Sequence, residues 1–168
     1  MASLHGHGVP SASAFLTPEI QQAVWFLGAL VRIRVGGDST GGSLAVLEHY
    51  GERGYCSPLH RHEADEELFF VLEGQLRVEV DGQQHAAGPG AVAVLPRALP
   101  HAFVVTSPHA RFLTFHTPAG FERFTLEAGT ATTSLEHSPP NDRPLEPAAL
   151  AEMASAFGIQ ILGPPPTP

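Results

Sequence analysis

A single cysteine, Cys56, stands in a chain of 168 residues, which excludes an internal disulfide and suits a reducing cytoplasm. Positive charge is scarce as well. Nine Lys plus Arg face seventeen Asp plus Glu, for a net charge of −8. Without a clustered basic stripe, the phosphate neutralisation behind non-specific nucleic-acid binding has no source. No apolar run approaches the roughly eighteen residues that a membrane-spanning helix needs. Residues 1–10 lack the charged-then-apolar order of a secretory signal. The expectation is a cytoplasmic protein that binds neither nucleic acid nor membrane. Histidine, by contrast, is plentiful, with ten residues.

The apolar fraction of 43% and the length fit one globular domain with a real core. Seventeen glycines and sixteen prolines, spread throughout, suit short strands joined by tight turns. Residues 1–14 read as a flexible arm, 15–137 as the strand-bearing domain, and 138–168 as connector, C-terminal helix and Pro-rich tail. Within the domain, 25–35 and 43–50 read as strands flanking a glycine-rich turn at 36–42. Glu73-Gly74 reads as a hairpin between 67–72 and 75–80, and Asp81-Gly82 as a second one leading into 83–87. Further strands are expected at 91–95, 101–105 and 110–116. The pattern is all-β, a sandwich or barrel. Two helices are expected, at 120–128 and 147–157. In the second, Leu150, Met153, Ala154 and Phe157 share one face, which is expected to meet the core. Pro147 and Gly158 fall where helix starts and stops want them.

His60 and His62 are two apart, so on a strand both imidazoles face one side. Glu67 opens the apolar stretch 68–72 and His101 the stretch 102–105. Arriving on neighbouring strands, they would complete a pocket of three nitrogens and one oxygen for a divalent transition metal. Each residue has a plainer reading: a lone His-x-His is weak by itself, and a Glu among acidic neighbours is usually solvated. The conjunction is what points to a metal.

The order Gly54-x5-His60-x-His62-x4-Glu67-x6-Gly74 resembles the first cupin motif at every defining position, and Gly90-x5-Pro96-x-Ala98-x2-His101 resembles the second. Two positions depart: Ala98 stands where the family usually has glycine, and Val105 where it usually has asparagine. Neither is a ligand position. The stretches Trp-Phe-Leu-Gly at 25–28 and Thr-Pro-Ala-Gly-Phe-Glu at 117–122 look like the quercetin 2,3-dioxygenase-like branch of small single-domain bacterial cupins. The resemblance implies a single jelly-roll β-barrel with one divalent ion (Fe, Ni, Mn, Co, Cu or Zn) held by His60, His62, Glu67 and His101. It implies a dioxygenase of a small enolisable or phenolic, flavonol-like compound, with O2 as co-substrate and Glu67 taking the substrate's hydroxyl proton. Cupin thiol dioxygenases use three histidines without the carboxylate, so Glu67 argues against that reaction. A metal-dependent isomerase, cyclase or lyase, or a binding cupin without turnover, remains as the alternative.

By alternation, Phe69 and Val71 share a face with Glu67, and Phe103 and Val105 share one with His101. They either line an apolar substrate pocket or fill the barrel. His116 either reaches the cavity as an acid or base or is a satisfied histidine. Glu63, Asp65 and Glu66 read as a solvated acidic lip, Cys56 as a small buried hydrophobe, and His5 and His7 as adventitious metal binders in the arm. Small cupins pair through barrel edges, so a homodimer is expected, with 25–35 a candidate for exchange across it.

Overall fold

The computed structural model describes residues 13–133 and 145–168. His5, His7, most of the expected arm and part of the connector lie outside them. Twelve strands and three α-helices follow one another in the described chain, after a short 3-10 turn at Pro18–Ile20. They are β1 (Ala23–Phe26), β2 (Ala29–Val35), α1 (Gly37–Thr40), β3 (Ala45–Glu52), β4 (Leu59–His62), β5 (Glu66–Glu73), β6 (Leu76–Val80), β7 (Gln83–Ala87), β8 (Val92–Leu95), β9 (His101–Val105), β10 (His109–Thr117), α2 (Phe121–Ala128), β11 (Thr130–Ala131), α3 (Pro147–Ala156) and β12 (Ile159–Gly163). One sheet runs β11-β1-β2-β3-β10-β5-β8 and the other β12-β4-β9-β6-β7, every pairing antiparallel. These are the two walls of a jelly-roll β-barrel. No described helix is long and apolar enough to cross a membrane.

Alternation along β5 shows how the sequence fills the barrel. Glu67, Phe69 and Val71 are buried while their neighbours are half-buried, as a period of two requires. Phe69, Val71, Phe103, Val105 and Phe112 join one core cluster between the sheets. A second cluster gathers Val24, Phe26, Leu47, Phe124, Leu150, Ala154 and Ile159, where α2 and α3 cover one end.

Four local expectations are corrected. The stretch 25–35 is not one strand: Leu27 and Gly28 both take positive φ, of 50° and 85°, and turn β1 back onto β2 with Phe26 opposite Ala29. The glycine-rich turn at 36–42 contains the one-turn helix α1. Glu73-Gly74 is a corner and no hairpin, because β5 belongs to the first sheet and β6 to the second. Gly74 has φ of 76°, and a Cβ there would collide with the His109 carbonyl as the chain changes sheets. The tail expected after α3 instead contains β12, which pairs with β4 from Ile159 opposite His62 to Gly163 opposite Leu59. Asp81-Gly82 is a tight hairpin turn, both residues at positive φ (49° and 74°).

Ala98 keeps the backbone of the glycine it replaces. Its φ is 64°, left-handed, and its N–H donates to the His62 carbonyl at 2.7 Å. The turn before His101 is therefore built in the glycine form, with the alanine strained.

Candidate metal centre

Strand β4 presents His60 and His62 to the barrel interior, β5 presents Glu67 and β9 presents His101. One cross-strand pair, His60 opposite His101, joins β4 to β9. The four side chains are buried, His60 at 7% exposure and the other three at 1–4%. One ligand atom from each lies within 4.8 Å of every other, so the cluster could hold a metal ion.

The hydrogen bonds behind the cluster fix which nitrogens point inward. His60 Nδ1 donates to the Pro58 carbonyl at 2.8 Å, His62 Nδ1 to Asp65 Oδ1 at 3.0 Å, and His101 Nδ1 to the Leu99 carbonyl at 2.9 Å. In the neutral rings this leaves each Nε2 as a bare lone pair. His60 Nε2 and His62 Nε2 are 3.1 Å apart, and Glu67 Oε2 lies 3.0 Å from His101 Nε2 and 3.5 Å from His62 Nε2. Lone pairs and a carboxylate converging on one point repel unless a cation or an added proton sits among them. The donor set thus fits a divalent ion with nitrogen and oxygen preference.

Protonation follows the same geometry. Burial, reinforced by His101 and His62, pushes the His60 imidazole down to about 3, so it is neutral and ready to ligate. Burial also opposes charge on His62, but the hydrogen bond to Asp65 and the nearby Glu67 outweigh it and raise its pKa. Burial would raise the Glu67 carboxyl; His116, His101 and His62 overcome this and hold it far below the usual carboxylate range.

Asp65 is not part of a solvated lip. Its exposure is 8%, and its two oxygens accept from His62 Nδ1 at 3.0 Å and His116 Nδ1 at 2.9 Å. Burial works against its charge, but those two histidines hold the carboxyl at about 2. Glu63 and Glu66 behave as expected at a surface, exposed and half-buried. His116 is fully buried on β10, with Nε2 at 3.2 Å from Thr114 Oγ1 and 3.5 Å from Glu67 Oε1. From Thr114 the network continues to His49 Nε2 at 3.1 Å, and from His49 Nδ1 to the Tyr55 hydroxyl at 2.9 Å. One assignment satisfies all of it: Tyr55 donates to His49, His49 to Thr114, Thr114 to His116, and His116 to Asp65. Tyr55, His49 and Thr114 carried no signal of this in the sequence beyond alternation with apolar neighbours.

The remaining site expectations fall in two places. Phe69, Val71, Phe103 and Val105 pack in the inter-sheet core. A cleft beside the metal cluster is lined by a different set, Phe26, Phe121, Phe124, Leu150, Ile159 and Ile161 among them, with His60 at its wall. Cys56 is half-buried beside Val104, and burial raises its thiol pKa.

A two-sheet jelly roll with a buried three-histidine, one-glutamate cluster is the architecture of a cupin, and residues 46–116 match the cupin domain family. The chain has the fold of cupins, and its sequence is similar to a quercetin 2,3-dioxygenase. It is 27% identical over 127 residues to quercetin 2,3-dioxygenase from Bacillus subtilis, covering 72% of this chain and 38% of that protein. Among solved structures, KdgF from Halomonas sp. superposes with a TM-score of 0.58 at 21% identity, covering 67% of this chain and 99% of that one. A Bacillus subtilis oxalate decarboxylase superposes with a TM-score of 0.57 at 20% identity, covering 68% and 32%. The fold is thus shared with enzymes of several chemistries.

Proposed function

We propose that this cupin is a metal-dependent dioxygenase of a small enolisable or phenolic compound, with His60, His62, Glu67 and His101 holding the metal. The observation that carries the reading is Glu67. It is a buried carboxylate beside three histidines whose Nδ1 atoms are already held by oxygen partners, leaving each Nε2 turned inward. The likeness to a quercetin 2,3-dioxygenase supports the same reading. A divalent ion bound there would supply Lewis acidity and, with four protein ligands on a six-coordinate ion, room for substrate and O2.

The chain's own residues do the rest. Glu67, held ionised by its histidine neighbours, accepts the substrate's hydroxyl proton: the O–H bond breaks, its electron pair stays on the substrate oxygen, and the proton moves to a carboxylate oxygen. Asp65 keeps His62 and His116 in one orientation through this transfer. The buried walls exclude bulk water from the reacting oxygen.

Oxygen uptake tests the proposal, measured with phenolic and enolic candidates on protein loaded separately with Fe(II), Ni, Mn, Co, Cu or Zn. Uptake stoichiometric with substrate loss is expected with a redox-capable ion. Glu67→Gln should lower turnover by roughly 10²- to 10⁴-fold, the usual contribution of a general base. Metal-retaining Glu67→Gln protein with full turnover would end the base assignment. Conversion of substrate with Zn and without O2 would instead assign an isomerase, cyclase or lyase.

A further inference from the structure

Arg32 lacks the partner that a neighbouring strand would ordinarily give it. Val31 and Ile33 are buried in the core, so by alternation Arg32 points off the outer face of β2, where it is half-buried. Its neighbours across the sheet are Ala23 on β1 and Glu48 on β3. Ala23 offers a cation nothing. Glu48 is already taken, one oxygen by Arg34 and the other by Arg111 at 3.1 Å. The Arg32 guanidinium makes no hydrogen bond or ion pair with any described residue.

That guanidinium borders a cavity of about 320 Å³. Pro18, Glu19 and Gln21 wall it from the 3-10 turn and the residue after it, Ala23 and Arg32 from β1 and β2, and Thr132 and Thr133 from the chain leaving β11. The walls are tied in place. Gln21 Nε2 donates to the Leu16 carbonyl at 3.1 Å, and its Oε1 accepts from Arg34 at 2.7 Å. The Thr132 N–H donates to the Ala23 carbonyl at 3.0 Å. Ligand pockets span roughly 300–1,000 Å³, so the space is large enough to hold a small molecule. An arginine drawn part-way out of water gives up hydration, and a planar anion with two oxygens replaces it.

We infer that this cavity is a second ligand site, on the outside of the barrel, and that it binds a small organic monocarboxylate. The two carboxylate oxygens lie on the Arg32 guanidinium and the apolar body rests against Pro18 and Ala23. Glu19 sets the charge of the ligand. It is the one acid among the lining residues, and hydrogen bonds from Thr17 and from its own backbone N–H hold it below the usual carboxylate range. A dianion such as phosphate would meet that charge as it approached Arg32, and a monoanion meets it less. The apolar walls favour a hydrocarbon body over a bare inorganic anion. The metal cluster lies on the other side of the sheet, where Glu67 is buried with Phe69 and Val71, so neither site needs the other to be filled.

Benzoate is the probe, on the metal-free full chain at pH 8 and fixed ionic strength. Benzyl alcohol serves as its uncharged counterpart and inorganic phosphate as the dianion. Amide and arginine side-chain NMR should show benzoate shifting Ala23, Arg32, Thr132 and Thr133, with His60 and His101 unmoved. Benzyl alcohol and phosphate should each bind at least about tenfold more weakly. Arg32→Gln should weaken benzoate binding by about tenfold or more. Ala23→Trp, which fills the cavity and leaves the arginine in place, should do the same. Glu19→Gln should narrow the preference for benzoate over phosphate. The amide spectrum of each variant reports its folding. No benzoate binding, shifts centred on the histidine cluster, or an affinity indifferent to both Arg32→Gln and Ala23→Trp would overturn the site. Benzyl alcohol or phosphate binding as tightly as benzoate would overturn its carboxylate class.

Discussion

His60 and His62 bring their Nε2 atoms to 3.1 Å, while the Nδ1 of each is already committed to an oxygen, Pro58 O for one and Asp65 Oδ1 for the other. Two neutral imidazoles cannot both satisfy that contact, since neither has a proton left to place in it. With both rings neutral the folded chain therefore carries a local repulsion, which a cation relieves as an added proton on His62 would. Binding to the native state alone stabilises it by mass action, by about 2.7 kcal/mol at a hundredfold excess over Kd. For a chain of this size that is a rise in Tm of roughly 5–10 °C. Thermal melts with and without Mn, Fe(II), Co, Ni, Cu and Zn, followed by chelator, check it. His60→Ala should remove most of the rise, and no shift with any of these ions would count against a metal centre.

Asp65 acts through the histidines it touches. In Asp65→Asn, one acceptor oxygen becomes an NH2 group facing a ring N–H, and donor meets donor at His62 or His116. One ring must then turn or change tautomer. Loss of such an outer partner typically weakens metal binding by about 10–100-fold. Competition with a chromophoric chelator measures this, with far-UV circular dichroism confirming that the variant is folded. Equal affinity in Asp65→Asn and parent protein would show that the clamp is not needed.

Ala98 gives a prediction of the opposite sign. It sits at φ of 64°, a conformation that costs an L-residue roughly 1–2 kcal/mol and glycine almost nothing. Part of that gain is returned through the greater freedom of glycine in the unfolded chain. Ala98→Gly is therefore expected to stabilise the protein by about 0.5–1 kcal/mol, raising Tm by roughly 1–4 °C. Urea unfolding of both proteins decides it; a destabilised glycine variant would mean that the alanine methyl makes a packing contribution larger than the strain.

The four proposed ligands were legible because their spacing is local: two on one strand by alternation, one at the head of each of two apolar stretches. Asp65 was not, since in sequence it is one of several acidic residues. Its burial depends on His116, which β10 delivers from 51 residues away. Glu73-Gly74 misled for a related reason, because a corner and a hairpin use the same glycine, and only the partners of β5 and β6 tell them apart. β12 is five residues before a proline-rich end. It is a strand because β4 has an open edge there, and that edge carries His60 and His62. The hairpin at Asp81-Gly82 and the helix begun by Pro147 needed no distant partner, and both stand where the sequence puts them.

His49 supplies a pH dependence that involves no metal ligand of its own. Burial pushes its imidazole down to about 3, with Glu67 opposing the shift and His116 adding to it. The ring stacks on Phe112 at 4.8 Å and is hydrogen-bonded at both nitrogens, to Tyr55 and Thr114. In the unfolded chain the same group titrates near 6.5. Between the two values the unfolded state holds one proton more than the native state, so stability rises with pH. The contribution is complete above about pH 6.5 and is lost on acidification at about 1.4 kcal/mol per pH unit. His49→Gln removes the titration and leaves a polar side chain. Urea unfolding of metal-free protein at pH 6.0, 5.25 and 4.5 should give a shallower slope for the variant, by about 1.4 kcal/mol per unit. Parallel slopes would mean that His49 is protonated in the native protein, and that the donor chain from Tyr55 to Asp65 does not run in the single direction its geometry permits.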